Sequence, residues 1–184
     1  PVALDGQSFS ARYAVKSERI TSYNVVGRIE GSTHPDESMI YSAHWDHIGV
    51  GEPDARGDRI FNGAADNASG TAAVVEMARG WMAGPKPERS VVFLFVTAEE
   101  KGLLGSEYYA SNPLYPLETT AGVINIDGAA PLGPSRDFGI YGSADVQLLD
   151  QLKAVAARWD VRYTPDSKPE AGLFFRSDHF PFAK

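Results

Sequence analysis

Carboxylate and imidazole side chains follow three short apolar runs of this chain. His44 and Asp46 come after the first run, Glu99 and Glu100 after the second, and Asp127 after the third. In open α/β sheets, binding sites form beyond the carboxyl ends of the strands. We therefore expect these five side chains to lie at one edge of a sheet.

Two more residues can join this set. Asp66 lies in a stretch rich in Gly, Ala and Asn directly before a helical pattern, and His179 lies near the end of the chain. The sequence has no cysteine, and imidazole and carboxylate ligands without thiolates are typical of hydrolytic zinc, cobalt or manganese sites. Two ions about 3.5–4 Å apart need a carboxylate that bridges them. Two histidines and three carboxylates would suffice for such a pair.

The neighbouring residues Glu99 and Glu100 indicate that their two carboxylates have different roles. Buried like charges raise each other's pKa, unless a cation neutralises one carboxylate and leaves the other free to act as a base. Taken alone, the pair is typical of the solvated start of a helix, where acidic groups favour the helix dipole. An isolated His44 would likewise be interpreted as a hydrogen-bonded core residue.

Short apolar runs alternate with helical patterns, which is typical of an α/β fold. The predicted strands are residues 23–29, 39–43, 91–96, 122–126 and 138–141. The first two strands are expected to pair as a hairpin, because only a turn rich in Gly, Ser, Pro and Asp separates them. The continuous apolar run at 91–96 predicts a strand that is covered on both faces.

Three helices are predicted, over residues 68–83, 103–110 and 145–158. The first helix ends at Gly84-Pro85, since this pair stops a helix. The apolar positions predicted to share a face are Val74, Val75, Ala78, Trp81 and Met82 in the first helix, and Leu148, Leu152 and Val155 in the last.

Charge and length exclude two classes of protein. Seventeen Lys and Arg stand against 24 Asp and Glu in 184 residues, a net charge of −7, and no basic run is present to follow a phosphate backbone. The longest strongly apolar run, residues 91–96, is far shorter than the roughly 20 residues of a membrane-spanning helix. We therefore expect neither a nucleic-acid partner nor a membrane span, and the length fits one domain.

Five segments carry a resemblance to a known family. They are residues 42–47 (SAHWDH), 63–70 (GAADNASG), 97–106 (TAEEKGLLGS), 125–127 (NID) and 177–179 (SDH). In this order they resemble the co-catalytic di-zinc aminopeptidase family, which includes aminopeptidase Y and, more distantly, glutamate carboxypeptidase II. The resemblance implies a three-layer α/β fold of the zinc-peptidase (phosphorylase/hydrolase-like) type, with a mixed, mostly parallel sheet between helices.

The resemblance also implies a role for each candidate residue. The implied metal ligands are His44 and Asp127 on one Zn²⁺, Glu100 and His179 on the other, and Asp66 bridging both. Glu99 would be the general base, and Asp46 would accept a hydrogen bond from His44 and so fix its tautomer. A cis peptide bond is implied after the bridging aspartate, at Asp66-Asn67. Co²⁺ or Mn²⁺ are possible substitutes for zinc.

The function implied by the resemblance is hydrolysis of peptide bonds by a zinc-dependent exopeptidase, an aminopeptidase acting on peptide or protein N-termini, in a secreted or periplasmic setting. Alternatives on the same fold are a carboxypeptidase, a glutaminyl-cyclase-like enzyme with one zinc, and a non-catalytic binding module like the transferrin receptor. Such modules have lost ligands, whereas all five ligand positions and the base are filled here.

Residues 1–184 are expected to form a single zinc-peptidase catalytic domain. Because the chain ends five residues after His179, where the family's domain continues, we expect a fragment that lacks a C-terminal strand and helix. Two features stay open at this stage. His47 has no assigned role, and the aromatic residues Phe174, Phe175, Phe180 and Phe182 fit either the core or a pocket for an apolar substrate side chain.

Overall fold

The computed structural model describes residue 6 and residues 8–128, 133–141 and 147–184. The strands in these ranges are β1 (Val25–Ile29), β2 (His34–His44), β3 (Gly49–Val50), β4 (Ile60–Phe61), β5 (Arg89–Val96), β6 (Thr120–Asn125), β7 (Asp137–Ile140) and β8 (Arg162–Pro165). The α-helices are α1 (Ser69–Ala83), α2 (Leu104–Ser111), α3 (Gln147–Ala157) and α4 (Phe180–Ala183). No helix among them is long and apolar enough to cross a bilayer.

The central sheet is mixed, as the sequence predicts. Its strand order is β1-β5-β2-β6, with β2 parallel to both β5 and β6, and β1 antiparallel to β5. Strand β5 is central and nearly all of it is buried, which confirms the interpretation of its continuous apolar run. Two small two-stranded sheets, β3-β4 and β7-β8, lie outside this sheet.

Helices cover both faces of this sheet, as expected of a three-layer fold. On one face Ile40, Leu94 and Val96 pack with Tyr109 of α2. On the other face, Val91 and Phe93 of β5 pack together with Ala43 of β2 and Val74 of α1. Side chains alternate between the two faces along β5, so its apolar residues supply both layers of the core.

The predicted hairpin between the first two strands is wrong. Strand β5 lies between β1 and β2 and pairs with both. The turn that joins β1 to β2 packs on the start of β5, where the Ser32 and His34 amides donate to the Pro87 and Glu88 carbonyls. Because β5 carries the longest apolar run, burying it between two strands removes more apolar surface from water than a two-stranded hairpin would.

The helix bounds agree with the prediction, but the predicted apolar faces are too wide. In α1, Val74 is fully buried with Ala78 and Trp81 packed nearby, whereas Val75 and Met82 are exposed. The described part of α3 begins at Gln147, so predicted positions 145 and 146 lie outside the described residues. In that helix Leu149 is buried, whereas Val155, expected on the apolar stripe, is exposed. A helix that packs on one side of a sheet buries only a narrow stripe.

Candidate metal centre

The carboxyl ends of three parallel strands meet at one edge of the sheet. His44, the last residue of β2, pairs in register with Val96 of β5, and Ser42 pairs with Asn125 of β6. Glu99 and Glu100 follow β5 in a short 3-10 turn, and Asp127 follows β6 by two residues. The parallel register brings the predicted side chains to a common edge, as the sequence analysis expects.

Asp66 reaches this edge from a kinked turn of residues Ala64–Ala68 before α1. The Asp66-Asn67 peptide bond is cis, which confirms the expectation drawn from the family resemblance. The buried Asn67 side chain holds the turn in place. Its amide nitrogen donates to the Ile126 carbonyl at 2.9 Å, and its oxygen accepts from the amides of Gly70 and Gly128, each at 3.0 Å. The turn is therefore tied to the end of β6.

A first group of ligand atoms surrounds the buried ring of His44. The Nε2 atom of His44 lies 2.9 Å from Asp66 Oδ1 and 3.2 Å from Asp127 Oδ1. All three atoms lie within 4.8 Å of one another, so they can hold one metal ion. Burial alone would lower the pKa of His44, but the hydrogen bond and charge of Asp127, with a smaller contribution from Glu99, raise this pKa to about 9.

Asp46 orients His44 in a different way from the one expected. The Nδ1 atom of His44 lies 3.0 Å from the backbone carbonyl of Asp46, whereas the Asp46 carboxylate is 3.9 Å away. The carboxylate instead accepts a long 3.4 Å hydrogen bond from the Glu99 amide. The backbone carbonyl of Asp46, two residues after His44, is closer to His44 Nδ1 than the carboxylate is. As an acceptor it fixes the same tautomer of His44 that the carboxylate would fix.

Asp66 also belongs to a second group, with Glu100 and His47. The Nδ1 atom of His47 lies 2.6 Å from Glu100 Oε1. Sequence reasoning left His47 without a role, although an imidazole three residues after His44 in the same loop was a usable signal. Glu100 thus lies where the resemblance implies, but its histidine neighbour differs from the one expected.

His179 is in neither group of ligand atoms among the described residues. It precedes α4, and its ring packs edge-on against Phe174 with 4.9 Å between centroids. Its Nε2 atom is buried without a hydrogen-bond partner. Burial lowers the pKa of His179, although the charge of Asp127 opposes this effect.

Glu99 stands apart from both groups, as a base rather than a ligand would. Burial raises its pKa to about 7; the charge of His44 opposes this shift, and those of Asp178, Asp127 and Glu100 add to it. A carboxylate with a pKa near neutrality suits proton transfer at physiological pH. The preceding Ala98 has a positive φ of 56°, so the chain turns sharply at this point.

Asn24, which the sequence analysis did not single out, braces the loop that carries Glu99. Its side-chain amide donates to the Gly105 carbonyl at 2.8 Å, and its side-chain oxygen accepts from the Thr97 amide at 3.1 Å. A Cβ at position 105 would come closer than 3.0 Å to the Thr97 backbone, so this close approach requires glycine.

A chain of hydrogen bonds holds the Asp127 carboxylate. The Ser42 hydroxyl donates to Asn125 Oδ1 at 2.8 Å, the Asn125 amide donates to the Ser177 hydroxyl at 2.7 Å, and that hydroxyl donates to Asp127 Oδ2 at 2.6 Å. The hydrogen bond with His44, together with that from Ser177, lowers the pKa of Asp127 against the effect of burial. Oδ1 is left to face His44.

Of the four aromatic residues near the end of the chain, one packs against the core and three form a separate cluster. Phe182 packs against the core and lies 6.1 Å, centroid to centroid, from Tyr109. Phe174, Phe175 and Phe180 form an edge-to-face cluster beside His179. Because Phe175 is 58% exposed, this cluster is not ordinary core.

The family model described as Peptidase family M28 matches residues 24–184. This chain belongs to peptidase family M28. The matched range contains every candidate residue described above, so this membership confirms the resemblance on which their roles were assigned.

Curated M28-like relatives include a mouse protein and a plant protein. The chain is 30% identical over 180 residues to aminopeptidase NAALADL1 of Mus musculus, covering 83% of this chain and 21% of that protein. It is 35% identical over 153 residues to probable glutamate carboxypeptidase LAMP1 of Arabidopsis thaliana, covering 78% of this chain and 19% of that protein. The chain therefore spans about a fifth of the length of these two relatives.

Solved structures share the fold of this M28 chain. An aminopeptidase from Aneurinibacillus sp. strain AM-1 matches with a TM-score of 0.65 at 24% identity, covering 87% of this chain and 36% of that one. A peptidase M28 precursor from Shewanella amazonensis SB2B matches with a TM-score of 0.61 at 27% identity, covering 89% and 37%. A glutaminyl cyclase from Bacteroides thetaiotaomicron has the same fold, with a TM-score of 0.64 at 19% identity and coverage of 86% and 59%.

Proposed function

We propose that this M28 chain carries the catalytic centre of a two-zinc peptidase that releases N-terminal residues from peptides. The observation that carries the proposal is that Asp66 belongs to two groups of ligand atoms at once. One group pairs it with His44 and Asp127, and the other with Glu100 and a histidine. A carboxylate shared in this way is what two neighbouring ions need.

The residues present fit zinc. Imidazole nitrogen and carboxylate oxygen are ordinary zinc ligands, and three protein ligands that leave a further position open are typical of catalytic rather than structural zinc sites. Each of the two groups offers three protein ligands, and Asp66 counts in both. When bound, the two ions would lower the pKa of water and polarise the carbonyl of the scissile bond.

Glu99 is the residue that would move the proton. With a pKa of about 7 it is substantially ionised at neutral pH, so it can accept a proton from the attacking water and return it to the leaving amine. Its backbone amide is held by Asp46 and its loop by Asn24, so the carboxylate is positioned before substrate binds. The carbonyl of Asp46 keeps the His44 ring turned toward Asp66 and Asp127.

Aminopeptidase specificity is supported by the names of relatives. The mouse relative and the Aneurinibacillus structure are both named as aminopeptidases. The plant relative is named as a probable glutamate carboxypeptidase, so a C-terminal specificity is the outcome to be tested against. Phe175 is the exposed member of the aromatic cluster that it forms with Phe174 and Phe180, and such a surface suits an apolar substrate side chain better than an acidic one.

The test compares Glu99→Gln with Glu100→Gln, and uses the exposed Glu118→Gln as the matched control. After chelation and reloading, Glu99→Gln should retain two zinc ions per chain and lose about 100-fold or more in turnover of leucine 4-nitroanilide. Glu100→Gln should lose affinity for one ion, and Glu118→Gln should match the wild type. Equal activity in all three variants would contradict the assignment.

A second assay separates the specificities. A tripeptide acetylated at its N-terminus and one amidated at its C-terminus are offered to the reloaded chain. An aminopeptidase cleaves only the amidated peptide, since it needs a free amine. Cleavage of only the acetylated peptide would establish a carboxypeptidase instead, and cyclisation of an N-terminal glutamine would establish a cyclase.

A further inference from the structure

A pocket lies at the edge of the central sheet opposite the metal centre. Its volume is about 310 Å³, at the small end of the range for ligand pockets. It lies between β1, the start of β2 and the turn before β6, and its walls include Arg28, Pro35, Asp36, Ser38, Tyr115 and Thr119. Because Pro35 and His44 lie at opposite ends of β2, roughly 30 Å of strand separates this distal pocket from the proposed metal ligands.

An irregularity at the start of β2 shapes the distal pocket. The pairing of β2 with β5 shifts register between His34 and Ser38, and its pairing with β6 shifts between Ser38 and Met39. Such bulges redirect side chains and are over-represented beside functional sites. Pro35 and Asp36 lie in the shifted stretch, and both line the distal pocket.

The guanidinium of Arg28 is fixed in the pocket wall. Its Nη2 atom donates to the Pro35 carbonyl at 2.6 Å and to the hydroxyl of the buried Ser90 at 2.9 Å, and the group lies 4.8 Å from the centre of the Tyr115 ring. These contacts use both hydrogens of Nη2, whereas Nη1 and Nε have no hydrogen-bond partner among the described residues. A fixed positive charge with unused donors is therefore available to an anion.

Asp36 places the opposite charge on the same pocket. Its carboxylate is exposed and forms no hydrogen bond or ion pair within the described part of the chain, so it does not pair with Arg28. Two opposite charges that line one small pocket without pairing leave room for a ligand that bridges them. Pro35 and Tyr115 add apolar surface to the walls. The complementary ligand is a small molecule with a carboxylate, an ammonium group and an apolar body.

We propose that the distal pocket binds a free α-amino acid with an apolar side chain. Its carboxylate meets the guanidinium of Arg28, a group that suits carboxylates well, and its ammonium group meets the carboxylate of Asp36. Free amino acids are also the class of product that the peptidase proposed above releases. The pocket shares no residue with the metal centre, so the binding site does not depend on that function.

The experiment follows the amide chemical shifts of the isotope-labelled, zinc-loaded chain during a titration with L-leucine. The amides of Arg28, Ser38 and Thr119 should move along one saturation curve, recorded separately from those of Glu99 and Asp127 at the metal centre. L-Leucinol, which lacks the carboxylate, and N-acetyl-L-leucine, which lacks the ammonium group, should each bind the pocket about fivefold more weakly or worse.

Variants assign each charge to its partner. Asp36→Asn should weaken L-leucine about fivefold or more and leave N-acetyl-L-leucine unchanged, whereas Arg28→Gln should weaken L-leucine and leave L-leucinol unchanged. Glu52→Gln and Arg158→Gln remove the same charges at other exposed positions and should match the wild type. Arg28→Gln also removes the bonds to Pro35 and Ser90, so Asp36→Asn decides the test where the arginine variant does not fold.

Three results would overturn the proposal. They are amides of the distal pocket that do not move, equal binding of L-leucine and its two analogues, and unchanged L-leucine binding in a folded Asp36→Asn variant. None of these touches the proposed two-zinc function. A chain that binds no zinc but shows the expected shifts at the pocket would overturn that function and leave the amino-acid site standing.

Discussion

Ser177 contacts a proposed metal ligand without offering a ligand atom itself. Its hydroxyl donates to Asp127 Oδ2 and accepts from Asn125, which in turn accepts from Ser42. The chain of hydrogen bonds links β2, β6 and the loop before α4 to one carboxylate. Such partners orient ligands and raise metal affinity by about 10- to 100-fold.

Ser177→Ala should therefore weaken binding of the ion held by His44 and Asp127 by about 10- to 100-fold. Turnover should fall at limiting zinc and recover in excess zinc, because the substituted residue positions Asp127 and does not react. Ser177→Thr keeps the hydroxyl and should restore affinity. The exposed Ser111→Ala is the matched control. A loss of turnover that excess zinc does not repair would point to a different role.

Asp178 is fully buried and lies beside this network. Its Oδ1 accepts from the Ser106 hydroxyl at 2.6 Å, and Oδ2 has no hydrogen-bond partner. Burial raises the pKa of Asp178 from 3.8 to about 6, against the hydrogen bond from Ser106 and the charge of His44; the charges of Asp127 and Asp46 add to the increase. The folded chain thus favours the protonated form of the Asp178 carboxyl. The stability that the protonated carboxyl contributes is fully present below pH 3.8 and is lost as the pH rises through about 6.

Asp178→Asn should remove this dependence. In the metal-free chain, the free energy of unfolding of the variant should increase relative to that of the wild type between pH 4 and 7, by up to about 3 kcal/mol, because only the wild type loses stability as the carboxyl ionises. Urea unfolding at a series of pH values measures the difference. The exposed Asp36→Asn should follow the wild type. Parallel curves for Asp178→Asn and wild type would show that the carboxyl does not titrate on folding.

At the scale of elements, the start of α1 positions the shared ligand. A Cβ at Gly70 would come closer than 3.0 Å to the Asn67 side chain and to the Ile126 carbonyl. Helix α1 therefore begins in direct contact with the end of β6, and this contact holds the turn carrying Asp66 at the sheet edge.

Gly70→Ala should destabilise the chain by about 1–3 kcal/mol and weaken zinc binding, because the added methyl group separates these elements. Gly80 lies in the same helix with no atom within 4 Å of an added Cβ, so Gly80→Ala should be neutral or stabilising by up to about 1 kcal/mol. Thermal unfolding and zinc titration of both variants test the contrast. Equal losses in the two variants would remove the special role of the contact.

The strands illustrate what local pattern predicts. The apolar run of β5 is long enough to predict a buried strand. The predicted bounds of β6 agree with the structure to within a few residues, and those of β2 agree at its C-terminal end, whereas β2 begins earlier than predicted. The pairing of β1 was not predictable in the same way. Its partner β5 begins 60 residues after β1 ends, and a local pattern cannot indicate which distant strand offers the larger buried surface.

At the scale of the whole molecule, the proposed centre joins parts of the chain that are distant in sequence. Ligands come from the loop after β2, the turn before α1, the turn after β5 and the end of β6. Without cations, the acidic groups at this edge repel one another. Burial makes the largest contribution to the raised pKa of Glu99, and the charges of Asp178, Asp127 and Glu100 add to it. Ions that bind only the folded chain should therefore stabilise it.

Zinc should raise the unfolding temperature of the stripped chain, with each site contributing about 2.7 kcal/mol at a free zinc concentration 100 times its dissociation constant. Glu100→Gln should show a smaller increase than the wild type, because it loses one of the ions. Scanning calorimetry across a zinc series, with magnesium as the control ion, measures this effect. Equal stabilisation by magnesium would indicate general charge screening instead of binding at a zinc site.

The sequence alone determined which residue types this protein brings to the candidate site. Residue types and motif order were enough for the α/β class, the M28 family and the set of carboxylates and histidines at the strand ends, because these depend on local patterns. Only the tertiary structure decided which atoms meet. It placed the carbonyl of Asp46 rather than its carboxylate on His44, and His47 rather than His179 beside Glu100. Such choices depend on loop packing, and distances of an ångström or two between loops are not encoded by residue spacing.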